Sequence, residues 1–426
     1  MMNCEELLQK IAETPTPWHA VKNIRATLEE NGFSFRSPSD CSPETAGKRY
    51  TVRNGSALIA YRIPNNVDPA TVAFRITASH GDSPCFRLKP NGSLRGAYAR
   101  LNAEPYGGGI YATWTDCPLG LAGRLSVRKG AEISTELFSS ERAVAVIPNV
   151  APHLQSGSTG LDPKCDLIPL FGGSEADLKD FLAEESGIPK EDIVGWDLSL
   201  VIPERGKIFG AKNEFMISPR LDDLECAYTC LDGFLSADFP ADVIPVYALF
   251  DNEETGSVSF SGAAGTFLKD TLARILPDPL VLQGALSRSF FVSADNAHAL
   301  HPNHPELYDG ENAPVLNGGV VVKYNAAQRY MSDGFSGAVF AEICRSAKVP
   351  VQVFANRSDK RGGSTLGNLS ETQVPVRGVD IGAAQLAMHS ARETAGCKDV
   401  EYLANAIKAF YSADFTISDD AVRRNG

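Results

Sequence analysis

Acidic and histidine side chains stand close to the ends of apolar runs along this chain. Glu253 and Glu254 come shortly after 243–250, a run typical of a buried strand, and His80 and Asp82 follow another such run. Further side chains of these types are Asp222, Asp223, Asp295 and, near the end of the chain, His389. Ligands and catalytic groups in open α/β sheets gather where strands end. These residue types are the ingredients of a two-metal hydrolase site.

Each of these residues also has a simpler interpretation. A histidine that binds a metal usually passes its second N–H to a carboxylate, and Asp82 stands two residues after His80; a hydrogen-bonded loop histidine is the alternative. Two adjacent glutamates after a buried strand are costly unless a cation is near, but they also suit a solvated charge pair. Asp222, beside Asp223, also suits the N-cap of the helix that follows.

Three histidines, His298, His301 and His304, have the spacing of a metal-ligand set. Pro302 and Pro305 interrupt the regular helix that would align them. We therefore favour a role in lining the substrate pocket, and His298 is the candidate for substrate contact.

Several common catalytic motifs are missing from the sequence. No HExxH occurs, which excludes the metallopeptidases that hold a single zinc on one helix. There is also no GxSxG elbow and no Walker A loop. Metal-assisted hydrolysis is therefore the chemistry that the sequence favours.

Strand-like and helix-like segments alternate, which predicts an α/β fold whose mixed, largely parallel sheet carries helices on both faces. The strand-like runs are 56–62, 72–78, 243–250, 289–293, 319–324 and 349–354. Two helices are predicted in the first 35 residues, interrupted at 15–17, and one near the end, where Val400, Leu403, Ile407 and Phe410 share a face. The polar tail 418–426 is predicted to be frayed.

The acidic and histidine side chains named at the outset lie on either side of a long stretch of the chain. From Lys89 to Lys212 the sequence changes to short segments divided by glycines and prolines. We therefore predict an inserted β-rich domain at 89–212 within a catalytic domain formed by 1–88 and 213–426. A chain of 426 residues is long enough for two cores.

Composition limits the partners and the compartment. The formal charge of −12, with scattered lysines and arginines, argues against nucleic acid, and no apolar run is long enough to span a membrane. The acidic start lacks the pattern of a signal peptide, so we expect a cytoplasmic protein. The nine cysteines form no CxxC pair, and we expect reduced, mostly buried thiols.

Six ordered motifs resemble those of the aspartyl aminopeptidases, which belong to the co-catalytic zinc aminopeptidases. The motifs are 80–90 (HGDSPCFRLKP), 220–222 (RLD), 251–257 (DNEETGS), 293–303 (SADNAHALHPN), 363–367 (GSTLG) and 388–393 (MHSARE). The resemblance covers nearly the whole chain, including 106–109 (YGGG) and 122–124 (AGR) in the insertion. The family usually has asparagine where this chain has Asp223, which adds an acidic side chain beside the site.

The resemblance implies a site for two divalent metal ions. Zinc suits the nitrogen and carboxylate ligands best, with cobalt or manganese as alternatives. The implied ligands are Asp222 on both ions, His80 and Asp295 on one, and Glu254 and His389 on the other. Glu253 would be the general base, and Asp82 would orient His80.

The resemblance also implies substrates and assembly. The substrates would be peptides with an N-terminal Asp or Glu, and an acidic side chain must be met by a cation against the net charge of −12. Lys323 matches a family lysine near the pocket, and His153 matches a histidine that reaches a neighbouring subunit's site. The insertion would pair subunits, and dimers would form a tetrahedral dodecamer. The alternatives are a two-metal deacylase or dipeptidase, and an inactive peptide-binding shell protein.

Overall fold

The computed structural model describes residues 2–154, 160–418 and 421–424. The helices are α1 (Cys4–Ala12), α2 (Pro17–Glu30), α3 (Leu178–Ser186), α4 (Leu221–Ser236), α5 (Phe267–Ile275), α6 (Pro279–Ser287), α7 (Gly334–Ser346), α8 (Leu366–Ser370) and α9 (Cys397–Ser412). The strands are β1 (Ser34–Phe35), β2 (Gly47–Arg53), β3 (Ala57–Ile63), β4 (Ala73–His80), β5 (Cys85–Leu94), β6 (Tyr98–Tyr106), β7 (Gly120–Lys129), β8 (Glu132–Ser139), β9 (Leu170–Gly173), β10 (Ile193–Val201), β11 (Lys207–Phe209), β12 (Phe215–Ser218), β13 (Val243–Phe250), β14 (Phe290–Ala294), β15 (Ala297–His298), β16 (Val320–Tyr324), β17 (Val351–Ala355), β18 (Gly378–Gly382), β19 (Ala384–Leu386), β20 (Glu393–Gly396), β21 (Phe415–Ser418) and β22 (Ala421–Arg424).

The largest sheet has nine strands, in the order β1, β2, β3, β13, β4, β14, β18, β16, β17. The strands β13, β4, β14 and β18 are parallel neighbours at its centre. Antiparallel pairing appears where β2 meets β3, where β3 meets β13 and where β16 meets β18. The mixed, largely parallel sheet is thus confirmed.

Helices cover both faces of this sheet, as the sequence predicts. Side chains of a strand alternate between faces, and on β13 Tyr247 and Leu249 join one core while Val246 and Ala248 join the other. The first core also contains residues of α1, α2, α4, α7 and α9. The second contains residues of α5, α6 and α8.

A second sheet has six antiparallel strands, in the order β8, β7, β10, β5, β6, β9. We call these strands, which lie between Cys85 and Val201, the second sheet. They pack around a core of their own that includes Leu121, Leu125 and Leu198. The domain boundaries at 88 and 212 stay a prediction.

Two features of the fold were not predicted. A five-stranded sheet, in the order β11, β12, β20, β19, β15, joins segments that are far apart in the chain. The strand β22 pairs with β21, so the prediction of a frayed tail is wrong for 421–424; positions 419–420 and 425–426 lie outside the described residues. Every described helix is too short or too polar to cross a membrane.

Candidate active site

The carboxyl ends of β4, β13 and β14 meet at one edge of the nine-stranded sheet, which we call the site edge. The strand β4 ends at His80, and the parallel register places Phe250, the last residue of β13, beside it. The strand β14 ends at Ala294, one residue before Asp295. The apolar runs that form these strands therefore position His80, the glutamate pair and Asp295 at the site edge, as the sequence predicts.

Four side chains form a first buried cluster at the site edge. One ligand atom from each of His80, Asp222, Asp223 and Asp295 lies within 4.8 Å of every other. His80 Nε2 lies 3.3 Å from Asp222 Oδ1. All four side chains are buried, so a cation between them would be largely shielded from solvent.

A second cluster contains Asp222, Glu254 and His389, whose ligand atoms also lie within 4.8 Å of one another. His389 Nε2 lies 3.4 Å from Asp222 Oδ2 and 3.2 Å from Glu254 Oε2. The two oxygens of the Asp222 carboxylate therefore face different histidines. Because Asp222 belongs to both clusters, they form one continuous centre.

The side chain of Asp222 does not cap a helix. Residue Arg220 stands at the N-cap position of α4, and no side-chain hydrogen bond caps that end. Both Asp222 and Asp223 have non-helical backbone angles within the first turn. This local departure from helical geometry accompanies the placement of both carboxylates beside His80.

The carboxylates of the centre fit a bound divalent metal. Among the described residues, Asp222 Oδ1, Asp223 Oδ1 and Glu254 Oε1 are buried oxygens without a hydrogen-bond partner. Buried polar atoms without partners are rare in folded proteins, and buried carboxylates need a cation or a proton. Histidine nitrogen with carboxylate oxygen is a donor set that suits zinc.

Charge is distributed unevenly among the side chains of the centre. Burial opposes ionisation of Asp222, but the nearby His389 and His80 rings lower its pKa below the ordinary range. Burial also opposes a charge on His389, yet the nearby Asp222 carboxylate raises the pKa of that ring to about 9. A metal that binds beside His389 must therefore displace the proton that this ring carries at neutral pH.

Asp82 connects His80 to the glutamate pair, Glu253 and Glu254, and its carboxylate contacts both. Its Oδ1 accepts from the Glu253 backbone N–H at 3.1 Å, and its Oδ2 accepts from that of Glu254 at 3.2 Å. The Tyr106 hydroxyl donates to Oδ2 at 2.7 Å. His80 Nδ1 lies 3.1 Å from the Asp82 carbonyl oxygen and 3.4 Å from Oδ1. Asp82 therefore fixes both the ring of His80 and the turn that carries the glutamates.

Glu253 lies in the short 3₁₀ turn Glu253–Thr255, which follows Asn252 in a left-handed conformation (φ 63°). Its side chain is half-buried. Burial raises the pKa of Glu253 to about 8; the charges of Asp295 and Asp82 add to this, and His80 opposes it. A carboxyl group whose pKa lies near neutrality is well placed to exchange protons with a reacting group.

Glu393 is a site residue to which the sequence assigned no role. It is 2% exposed, and its carboxylate accepts from the backbone N–H of Asp222 at 3.0 Å and of His389 at 2.8 Å. Burial raises the pKa of Glu393 to about 8. Its motif, 388–393, was among those that resemble the family, but the contact to Asp222 spans 171 positions and leaves no local pattern.

Lys323 lies beneath Asp295 and is 2% exposed. Its Nζ donates to the Asp295 carbonyl oxygen at 2.6 Å and lies 3.6 Å from Asp295 Oδ2. The ammonium group also stands 5.2 Å from the centre of the Tyr330 ring. The structure therefore brings Lys323 into contact with a residue of the first cluster.

The other predicted histidines lie outside the two clusters. The side chain of His298 is exposed, and its ring centre is 5.9 Å from that of Phe354. The rings of His301 and His304 stand 5.1 Å apart. His153 is exposed in a 3₁₀ turn, Pro152–Leu154, at the edge of the described segment.

The chain is similar to known peptidases over nearly its whole length. Residues 10–411 match the family model of aminopeptidase I zinc metalloproteases (M18). A probable M18 family aminopeptidase 2 of Clostridium acetobutylicum is 40% identical, covering 96% of this chain and 98% of its own. Its namesake in Pseudomonas aeruginosa PAO1 is 37% identical, with coverages of 96% and 97%.

Solved structures show the same similarity. Ape4, solved by cryo-EM in a complex with Nbr1, has a TM-score of 0.91 and 33% identity, covering 96% of this chain and 85% of its own. The mApe1 dodecamer of S. cerevisiae has a TM-score of 0.83 and 28% identity, with coverages of 96% and 95%. An M18 aminopeptidase of Thermotoga maritima has a TM-score of 0.86 and 25% identity, also with coverages of 96% and 95%.

Proposed function

The chain belongs to the M18 family of aminopeptidase I zinc metalloproteases, and from this premise we propose that it is a two-metal aminopeptidase that removes N-terminal Asp or Glu from peptides. The observation that carries this proposal is the position of Asp222 between His80 and His389, with its two oxygens facing different histidines. One carboxylate shared by two ligand sets is what a dinuclear centre needs.

In the proposed centre, each ion has its own histidine and carboxylate. The ligands would be Asp222 on both ions, His80 and Asp295 on one, and Glu254 and His389 on the other. Bound ions supply polarisation of the scissile carbonyl and a lower pKa of the attacking water. Asp82 orients the His80 ring through its carbonyl oxygen at 3.1 Å and its carboxylate at 3.4 Å. The carboxylate also accepts from the backbone N–H groups of both glutamates and so holds their turn beside His80.

Glu253 would move the proton. Its carboxylate accepts a proton from the attacking water and passes it to the amine that leaves. The pKa near 8 applies to the metal-free protein, and nearby divalent charge favours the ionised form of a carboxyl group. Glu253 is therefore expected to be a carboxylate at neutral pH when the centre is loaded.

The preference for an acidic residue would depend on Lys323. The protein carries a formal charge of −12, and the site edge is rich in carboxylates, so an acidic substrate needs a local cation. The ammonium of Lys323 has three N–H donors, of which the Asp295 carbonyl takes one at 2.6 Å and the Asn296 carbonyl a second at 3.5 Å, which leaves one. Its near-complete burial would strengthen a pair with a substrate carboxylate, because screening by water is weak there.

Self-association would complete the enzyme. A solved relative is a dodecamer, and we propose that 89–212 pairs two copies of this chain and that such dimers build a similar shell. The exposed position of His153 suits contact with a neighbouring subunit. Such a shell would admit peptides and exclude folded proteins.

A panel of aminoacyl chromogenic substrates, assayed with and without a chelator, tests this function. We expect hydrolysis of Asp and Glu derivatives, its loss on chelation and its return with zinc. Activity that survives exhaustive chelation would overturn the metal-dependent function. Hydrolysis of N-acyl amino acids instead of aminoacyl substrates would favour a deacylase, and a preference for Leu over Asp would remove only the acidic specificity.

A further inference from the structure

Two cysteines from opposite ends of the chain lie against each other. The Sγ atoms of Cys4 and Cys397 are 3.0 Å apart, although 393 positions separate the residues. Cys4 begins α1 and Cys397 begins α9, so the pair joins the first turns of two helices. Both are free thiols.

The surroundings hold both thiols in place. The backbone N–H of Cys397 donates to the Glu214 carbonyl oxygen at 3.1 Å, next to the pairing of β12 with β20. Cys4 is 7% exposed, and its Sγ lies 3.5 Å from Met216 Sδ on β12. A disulfide has an S–S length of about 2.05 Å, so closing the pair requires a movement of about 1 Å.

We propose that Cys4 and Cys397 are an oxidation site that forms an intramolecular disulfide when a small-molecule disulfide is present. In the first step, the thiolate of one cysteine attacks the reagent, forms a mixed disulfide and releases one thiol. The second cysteine then attacks the protein sulfur, forms the Cys4–Cys397 bond and releases the other thiol. The two protein thiols lose two electrons and two protons, and the reagent is reduced to two thiols.

Exposure sets the order of these steps. Cys397 is half-buried whereas Cys4 is buried, so the reagent reaches Cys397 first and Cys4 resolves the mixed disulfide. Burial raises the pKa of both thiols, and the charges of Glu5 and Glu225 add to this, so both stay protonated in neutral buffer and react slowly. No other pair of cysteines is in hydrogen-bonding contact among the described residues.

The bond would fasten the N-terminal helix to the helix that follows β20. Both α1 and α9 contribute to the first core of the nine-stranded sheet. A disulfide between residues 393 positions apart would strongly restrict the unfolded chain. The melting temperature should therefore rise by about 3 to 5 °C.

Peptide mapping of the full-length protein tests the site. Oxidised glutathione is the probe at mildly alkaline pH, free thiols are blocked with N-ethylmaleimide, and trypsin follows. The background is Cys41→Ser/Cys165→Ser, because both of these cysteines are exposed. We expect peptide 1–10 linked to peptide 393–398, with a mass lower by two hydrogen atoms than the sum of the two.

The controls are Cys397→Ser and, in case that protein folds poorly, Cys4→Ala, each in the same background. Neither should give the linked peptide or the gain in melting temperature, and dithiothreitol should reverse both effects in the parent. Blocked thiols or stable glutathione adducts at both positions after prolonged oxidation would overturn the proposal. A linked pair found only in a dimer on a non-reducing gel would also overturn it.

Discussion

The site edge and the second sheet differ in how many ionisable side chains they bury. At the site edge the buried ionisable side chains include His80, Asp222 and Asp295. Among the described residues from Cys85 to Val201, by contrast, the buried polar side chains are only Ser140 and Ser199. The second sheet therefore rests mainly on its own apolar core, whereas the site edge contains buried carboxylates that its own side chains do not fully compensate. This difference predicts which region depends on a bound cation.

Removing the shared carboxylate should have the largest effect. In Asp222→Ala we expect both metals to be lost together, with activity below detection, because one side chain serves both clusters. The matched control removes a carboxylate from the second sheet: Asp197 pairs with Arg124 at 2.7 Å, and its side chain is 47% exposed. Asp197→Ala should keep both metals and lose about 1 kcal/mol of stability at most. Elemental analysis showing two tightly held metals in Asp222→Ala would contradict the shared ligand.

A smaller loss is expected when only the proposed general base, Glu253, is changed. Glu253→Gln should keep its metals and its melting temperature but lose turnover by about 100-fold to 10,000-fold, since an amide cannot accept the proton of the water. Metal content and kcat are measured on the same preparation. Near-normal turnover in a fully loaded Glu253→Gln protein would remove Glu253 from the mechanism.

The ammonium group of Lys323 should determine which N-terminal residue the enzyme prefers. We expect Lys323→Met to reduce kcat/KM for Asp and Glu substrates by about 100-fold more than for Leu or Ala, because an unpaired buried carboxylate is costly and an apolar side chain is not. If Lys323 serves only to position Asp295, which it contacts at 2.6 Å, all substrates should lose activity equally. The ratio of the two losses therefore separates recognition from positioning.

Glu393 supports the backbone of two of the proposed metal ligands, Asp222 and His389. The two oxygens of Glu393 accept separately from the backbone N–H groups of Asp222 and His389, so the isosteric amide in Glu393→Gln leaves an acceptor for only one of them. We expect metal affinity to fall by about 10-fold to 100-fold, with kcat largely restored at saturating metal. Titration with a competing chelator measures this affinity, and unchanged binding would limit Glu393 to a packing role.

The smallest effect concerns the pH dependence of the metal-free protein. His389 has its pKa raised to about 9, so its contribution to stability is complete below its ordinary pKa and is lost as pH rises through 9. Glu253 has its pKa raised to about 8, so the folded state binds more protons than the unfolded state up to that pH and loses stability as pH rises. We expect the melting temperature of the chelated protein to fall between pH 6 and 9, and that of the zinc-loaded protein to fall less. Parallel curves for the two forms would contradict this coupling.

The parts of the site that local sequence determines were predictable. The apolar run 243–250 coincides with β13, and the positions of His80 and Asp295 follow from where β4 and β14 end. An apolar run needs no knowledge of its distant neighbours to become a buried strand, and the parallel arrangement brings such ends together.

Pairing between strands that are distant in the chain could not be predicted from the sequence. The position of Glu393 depends on β20 pairing with both β12 and β19, and neither partner is marked by a pattern near residue 393. The hairpin of β21 and β22 was missed because its backbone hydrogen bonds need no apolar side chains, although Phe415 is buried and the Arg75 guanidinium lies 3.9 Å from the centre of its ring. The depth of Lys323 likewise follows from the pairing of β16 with β18.

The dispersal of the cluster along the chain has a consequence for biosynthesis. His389 leaves the ribosome after every other residue of the two clusters, and Glu393, which holds its backbone, follows it. A nascent or truncated chain that stops before His389 therefore lacks part of the second cluster, however well its earlier strands have paired. A peptidase of this design would therefore gain its activity only after His389 and Glu393 have been synthesised.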